Sequence, residues 1–199
     1  MINSLIDDIL KITSKLEIPT ILIGGLALPA YNVARSTLDI DICIYVQSQK
    51  ELDDLIENFK KNDIETRQKP KIHHDLFFVF GSSNEAEIWL KPCDAFGWDD
   101  KMLDKTRNFQ DNFDVLAIED FILTKIARTD RTSTDINDIL QILIANKNKI
   151  DWKYLRYRLE WVGLTEDFKE ILNAFSLKLD PQYKELANSI LKRFKENKN

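Results

Sequence analysis

Only two cysteines, Cys43 and Cys93, stand in 199 residues, too few and too apolar in context for a disulfide framework. Histidine is as scarce: His73 and His74 are adjacent, have no third ligand at metal spacing, and read as surface residues ahead of a strand. No apolar span approaches the roughly 18 residues of a membrane helix, and no basic-then-apolar leader opens the chain. These absences predict a cytoplasmic protein without a membrane partner. An excess of positive charge is also missing. The 28 Lys and Arg against 33 Asp and Glu leave a net charge of -5, which argues against a general nucleic-acid binder while leaving room for a local basic groove. There is no internal repeat, and low complexity is confined to the Lys/Asn-rich tail. What is present is ordinary in bulk: 44% hydrophobic and 31% charged residues can build a sizeable core. The length suits one large domain or a domain with a helical appendage.

The stretch Ile21 to Tyr45, ILIGGLALPAYNVARSTLDIDICIY, departs from that background. Gly24-Gly25 closes one apolar run and Asp39-Ile40-Asp41-Ile42 opens another. Aspartate in a buried strand is costly unless it is paired or binds a cation. Strand alternation puts Asp39 and Asp41 on one face, about 6.6 Å apart along it, where leaning side chains can share a divalent ion. At Gly24 and Gly25, backbone N–H groups and a helix dipole can approach a phosphate unobstructed. Together they describe a nucleoside triphosphate site. An exposed strand end or surface ion pairs would account for the aspartates alone, and an ordinary tight turn for the glycines; the combination, with Ile40, Ile42 and Ile44 on the other face, favours the site.

Periodicity sets the surroundings. Leu5, Ile9, Ile12 and Leu16 predict an amphipathic helix over Ser4 to Leu16. Thr20 to Ile23 reads as a strand, Leu26 to Ala34 as a short helix with Pro29 in its first turn, and Asp39 to Val46 as a second strand. Gln49 to Lys61 is a helix turning Leu52, Leu55, Ile56 and Phe59 inward, and Asp75 to Phe80 and Glu85 to Leu90 are strands around Gly81-Ser82-Ser83-Asn84. From Ile118 the texture turns helical. Ile118, Phe121, Ile122 and Ile126 mark one helix; Ile136, Ile139, Leu140 and Leu143 mark the next, capped by Ser133 or Thr134. Trp152 to Trp161, Glu166 to Phe175 and Pro181 to Phe194 follow. The division is expected near Asp114, in a Phe109 to Phe113 connector, giving domains 1–113 and 114–199.

A hydrophobic-Gly-Gly, a thirteen-residue spacer from Leu26 to Leu38, and Asp-hydrophobic-Asp-hydrophobic resemble the nucleotidyltransferase superfamily, the DNA polymerase beta-like group. Gly24-Gly25-Leu26-Ala27 followed by Arg35-Ser36-Thr37-Leu38-Asp39-Ile40-Asp41 looks most like its AbiEii/AbiGii-type toxin-like branch. The resemblance implies an α+β nucleotidyltransferase fold: a small mixed β-sheet with helices packed against it, followed by a C-terminal helical bundle. It implies transfer of a nucleotide from an NTP to an acceptor, with Mg²⁺ (or Mn²⁺) as cofactor and tRNA, a protein or a small molecule as acceptor. Toxin-antitoxin components, with a cognate toxin or antitoxin partner, are among the branch's members. Asp39 and Asp41 would then be catalytic metal ligands, and Gly24, Gly25, Arg35 and Ser36 would meet the nucleotide. Arg35 is equally explained as a cation at a helix C-terminus.

The superfamily normally adds a third carboxylate from a neighbouring strand. In Glu85-Ala86-Glu87-Ile88-Trp89-Leu90-Lys91, alternation puts Glu85, Glu87, Trp89 and Lys91 on one face, making Glu87 the candidate third catalytic and metal-binding group. A solvated strand face is the plain alternative. An alignment anchored on Pro92 puts Trp89 in that place instead, and the protein would then be a catalytically weak or inactive regulator that binds a nucleotide or partner. A second stretch, Ile118-Glu119-Asp120-Phe121-Ile122-Leu123-Thr124-Lys125, then Arg131, then Asp135-Ile136-Asn137-Asp138, resembles the helical element of the same branch. By position Lys125 would contact the triphosphate, and Asp135 and Asp138 would face the nucleotide base or hold the helix pair. Lys125 alone reads as a snorkelling lysine, and Arg131 with Asp135 as an i,i+4 ion pair. Lys184, Lys192, Arg193, Lys195 and Lys198 offer charge to RNA, but Glu185 and Glu196 between them make a solvated helix the plainer reading.

Overall fold

The computed structural model describes residues 3–109, 113–177 and 181–196. It is a mixed α+β structure of two compact units. One comprises the residues up to Ala30 with Ala34–Leu116; the other comprises Tyr31–Val33 with the residues from Ala117 onward. Among the described residues no helix is long and apolar enough to cross a membrane.

The first unit runs α1 (Asn3–Lys15), β1 (Thr20–Leu22), a 3-10 helix (Gly25–Tyr31), β2 (Asp41–Ile44), α2 (Gln49–Lys61), β3 (Glu65–Thr66), β4 (Leu76–Phe80), β5 (Glu85–Trp89), α3 (Asp100–Asp104), β6 (Arg107–Phe109) and β7 (Phe113–Val115). The strands form one sheet ordered β3-β4-β5-β2-β1-β7-β6. β1 lies antiparallel to β2 and parallel to β7, and β2 runs parallel to β5. Alternation explains its core: Ala86 and Ile88 of β5 and Phe77 and Val79 of β4 are buried, while Glu85, Glu87 and Trp89 are not. Leu5, Ile9 and Ile12 of α1 and Leu52, Leu55 and Phe59 of α2 complete the apolar interior. Ser48 caps α2, accepting from Glu51 N at 3.1 Å.

Local chemistry trims the expected elements. β2 starts at Asp41 rather than Asp39 because the Asp39 N–H is taken by Thr37 Oγ1 at 3.2 Å, a side-chain bond that competes with the ladder. The turn after β1 winds as a 3-10 helix with Pro29 inside it, and it gives way at Asn32, whose φ is 58°. The expected Phe109–Phe113 connector is flanked by paired strands, since Phe109 of β6 faces Phe113 of β7 across their antiparallel pairing.

The second unit holds α4 (Ile118–Ala127), α5 (Ser133–Asn146), α6 (Trp152–Val162), α7 (Thr165–Ser176) and α8 (Pro181–Glu196). All ten residues of α4 are buried, Glu119, Asp120 and Lys125 included, so each charge needs a partner. Arg158 Nε lies 2.6 Å from Asp120 Oδ1, close although outside hydrogen-bond alignment, and Tyr154 donates its hydroxyl to Asp120 Oδ2 at 2.8 Å. Glu119 Oε1 accepts from Asp151 N at 2.6 Å. Tyr31–Val33 belongs here because Tyr31 stacks on Phe121, centroids 4.3 Å apart, and its carbonyl accepts from Asn146 Nδ2 at 2.6 Å. The α5 cap is Thr132, not Ser133 or Thr134: its side chain bonds Asp135 N while the Asp135 side chain bonds Thr132 N, a capping box.

Candidate active site

β1 ends as Ile23 N donates to Asp41 O at 3.0 Å, so the next residue, Gly24, turns directly beside the Asp41 side chain. Gly24 has φ +63°, and a Cβ built on it would sit 1.9 Å from Asp41 Oδ2. Both its backbone angle and its missing side chain are therefore required. At Gly25 a Cβ would meet Thr37 Cγ2 at 2.8 Å and Arg35 Nη2 at 3.2 Å. The segment before β2 thus folds back over the start of the 3-10 helix, bringing Arg35 and Thr37 onto the glycine turn. Ser36 is exposed in that segment. Thr37 Oγ1 lies 3.4 Å from Asp39 Oδ2, so it holds both ends of Asp39; its role is a local side-chain motif, legible only as the Thr-x-Asp spacing.

Glu87 is the register partner of Asp41 in the parallel β2–β5 pair, and Glu87 N donates to Ile40 O at 2.8 Å. Directly paired residues share a face, so the two carboxylates stand side by side on adjacent strands. Phe78 continues the row on β4. Trp89 pairs with Cys43, one pleat further along, and its Nε1 donates to Glu87 Oε2 at 3.1 Å. Glu87, not Trp89, is thus the residue paired with Asp41. Carboxylate oxygens are ligands of the kind that suit a hard divalent cation such as Mg²⁺ or Mn²⁺. Among the described residues no three His, Cys, Asp or Glu side chains are gathered into a metal-holding group: Asp41 and Glu87 are neighbours by register, while Asp39 is turned to Thr37. Burial pushes the Cys43 thiol well up, which favours the neutral thiol.

Lys125, Asp135 and Asp138 lie in the second unit. Lys125 Nζ is 3.1 Å from Asp135 Oδ1 and 2.9 Å from Asp138 Oδ2, all three side chains being buried. This ties α4 to α5. Burial pushes the Asp135 carboxyl up, but the Thr132 N–H and the Lys125 ammonium outweigh it and hold it below its ordinary value. Arg131 does not pair with Asp135. It precedes α5, where helical i,i+4 spacing does not apply, and it bonds Ile126 O and reaches Asp167 at 3.4 Å. His73 and His74 meet edge to face, centroids 4.9 Å apart. Lys198 lies outside the described residues.

A family model described as "Nucleotidyltransferase of unknown function (DUF6036)" matches residues 1–190. No curated protein matches this sequence. Among solved structures, the antibiotic-resistance factor ANT(2'')-Ia in solution aligns with TM-score 0.52 at 14% identity, covering 84% of this chain and 96% of its own. The crystal structure of ANT(2'')-Ia in complex with adenylyl-2''-tobramycin aligns with TM-score 0.51 at 13% identity, covering 80% and 95%. An antigenic nucleotidyltransferase-like protein from Paracoccidioides brasiliensis aligns with TM-score 0.47 at 19% identity, covering 85% and 91%. At these identities the first two show a shared fold.

Proposed function

The chain belongs to this family of nucleotidyltransferases of unknown function, and from that premise we propose that it moves a nucleoside monophosphate from an NTP to an acceptor hydroxyl, using Asp39, Asp41 and Glu87. The observation that carries the reading is the register of Asp41 with Glu87, immediately beside a Gly24 turn that a side chain would close. A Mg²⁺ or Mn²⁺ held by these carboxylates would supply neutralisation of the triphosphate and activation of the hydroxyl. Gly24 and Gly25 leave backbone open to the phosphates. Arg35, poised over Gly25, adds a guanidinium that binds phosphate through paired N–H groups, and Ser36 adds a hydroxyl from the same segment. Thr37 Oγ1 bonds both the N–H and the carboxylate of Asp39, and so fixes the side chain that would serve as a cation ligand. The acceptor oxygen bonds to the α-phosphorus as the bond to pyrophosphate breaks, and the hydroxyl proton passes to water. Most of the catalysis is positioning and charge stabilisation.

Lys125 and Asp138 enter the proposal as the pair that fixes α4 against α5, with the nucleotide as the further contact to be tested. The acceptor is a tRNA, a protein or a small molecule, and a cognate toxin or antitoxin is among the protein candidates. The test is incubation of the purified protein with each α-³²P-labelled NTP, Mg²⁺ or Mn²⁺, and tRNA, cell protein or small hydroxylated acceptors, beside an Asp39→Ala/Asp41→Ala variant. Label transferred by the wild type and lost in the variant supports the proposal and identifies nucleotide and acceptor. Nucleotide binding without transfer in any arm would replace it with the regulatory reading.

A further inference from the structure

We propose that Trp89 is a positioning residue for the cation site: its indole N–H orients the Glu87 carboxylate beside Asp41 and so sets cation affinity without touching the cation. The inference rests on the reading that Asp41 and Glu87 share a divalent ion. Trp89 stands two residues beyond Glu87 on β5, so both side chains leave the same face, and Nε1 reaches Oε2 at 3.1 Å. The indole donates only and carries no charge. It therefore fixes the carboxylate while leaving its full negative charge for a cation, which a lysine or arginine in the same place would cancel. Oε1 and the second lone pair of Oε2 remain available. Phe78 on β4 and Asp41 on β2 flank Glu87 in the same row, so this long side chain is confined from both sides and held from a third. Hydrogen-bonding partners of ligating carboxylates typically alter metal affinity by about 10- to 100-fold.

The experiment is a Mn²⁺ titration followed by electron paramagnetic resonance on the full chain without nucleotide, for wild type, Trp89→Phe, Glu87→Gln, Asp41→Asn and the Trp89→Phe/Glu87→Gln double variant. Trp89→Phe keeps a ring and removes the donor. The expected result is about a tenfold rise in the Mn²⁺ Kd for Trp89→Phe, at least as large a rise for Glu87→Gln, and no further loss in the double variant, because an absent carboxylate leaves nothing to orient. In the ¹⁵N indole spectrum of the wild type, the Trp89 resonance should move on Mg²⁺ addition; it is assigned by elimination through single Phe variants of Trp98, Trp152 and Trp161. Unchanged affinity in Trp89→Phe with a loss in Glu87→Gln overturns the positioning role and leaves the metal reading standing. A loss in Asp41→Asn alone removes Glu87 from the site and this inference with it, and no binding by the wild type overturns both. Should Trp89→Phe fail to fold, a wild-type Trp89 resonance that stays put at saturating Mg²⁺ overturns the proposal.

Discussion

Gly24 is constrained twice, by φ +63° and by Asp41 Oδ2 standing where a Cβ would go. Gly24→Ala should therefore lose about 1–2 kcal/mol from the left-handed backbone alone and also displace the Asp41 carboxylate. The expected outcome is a lower melting temperature together with weakened Mn²⁺ binding; a variant that melts lower but binds Mn²⁺ as before would separate Asp41 from the site. Thr37→Val keeps the side-chain shape and removes both bonds to Asp39. It should cost about 1 kcal/mol in denaturant unfolding, and a fully silent change would show that Thr37 does not hold Asp39. At this scale the two aspartates stand out in the sequence because carboxylates are out of place in an Ile-rich run, whereas Asp39 lying outside β2 and against Thr37 does not. Nor do the roles of Thr37 and Trp89, since each is defined by the side chain it touches.

Among the elements, α4 carries the sharpest consequences because it buries charge. Asp120 and Arg158 are 0% and 1% exposed, and removing one partner of a buried pair typically costs about 3–5 kcal/mol. Arg158→Met should fall in that range by chemical denaturation, and Asp120→Leu/Arg158→Met should recover much of the loss. Glu119 supplies a pH signature. Burial holds its carboxyl above the ordinary value of 4.5 despite the Asp151 N–H, so between the ordinary and the raised value the native state binds more protons than the unfolded chain, and stability falls as pH rises through that interval. Glu119→Gln removes the fall. Its melting temperature relative to wild type should climb as pH rises above the ordinary value of 4.5, and a pH-independent difference would contradict the assignment. Long periodic elements such as α2 were legible from apolar spacing. β3, β6, β7 and α3, each of two to five residues, were not: they are too short to show a period, and pairing or a cap defines them. The Asp135 partner also escaped local reading, because Lys125 reaches it from another helix.

For the whole molecule, the order of a sheet-bearing half and a helical half could be read from texture, and the α+β nucleotidyltransferase fold follows from it and from the family. The membership of Tyr31–Val33 in the helical unit could not, because it depends on Phe121 and Asn146, far along the chain. If Asp41 and the register-paired Glu87 form one catalytic cation site, the single-turnover rate of nucleotide transfer to the acceptor found by labelling should separate wild type from Glu87→Gln at matched nucleotide saturation. Removing a ligand's charge from a site that stabilises the transition state by several kcal/mol should slow transfer by about a hundredfold or more, with partial recovery at high Mn²⁺. A Glu87→Gln protein that transfers at the wild-type rate would remove Glu87 from the catalytic site.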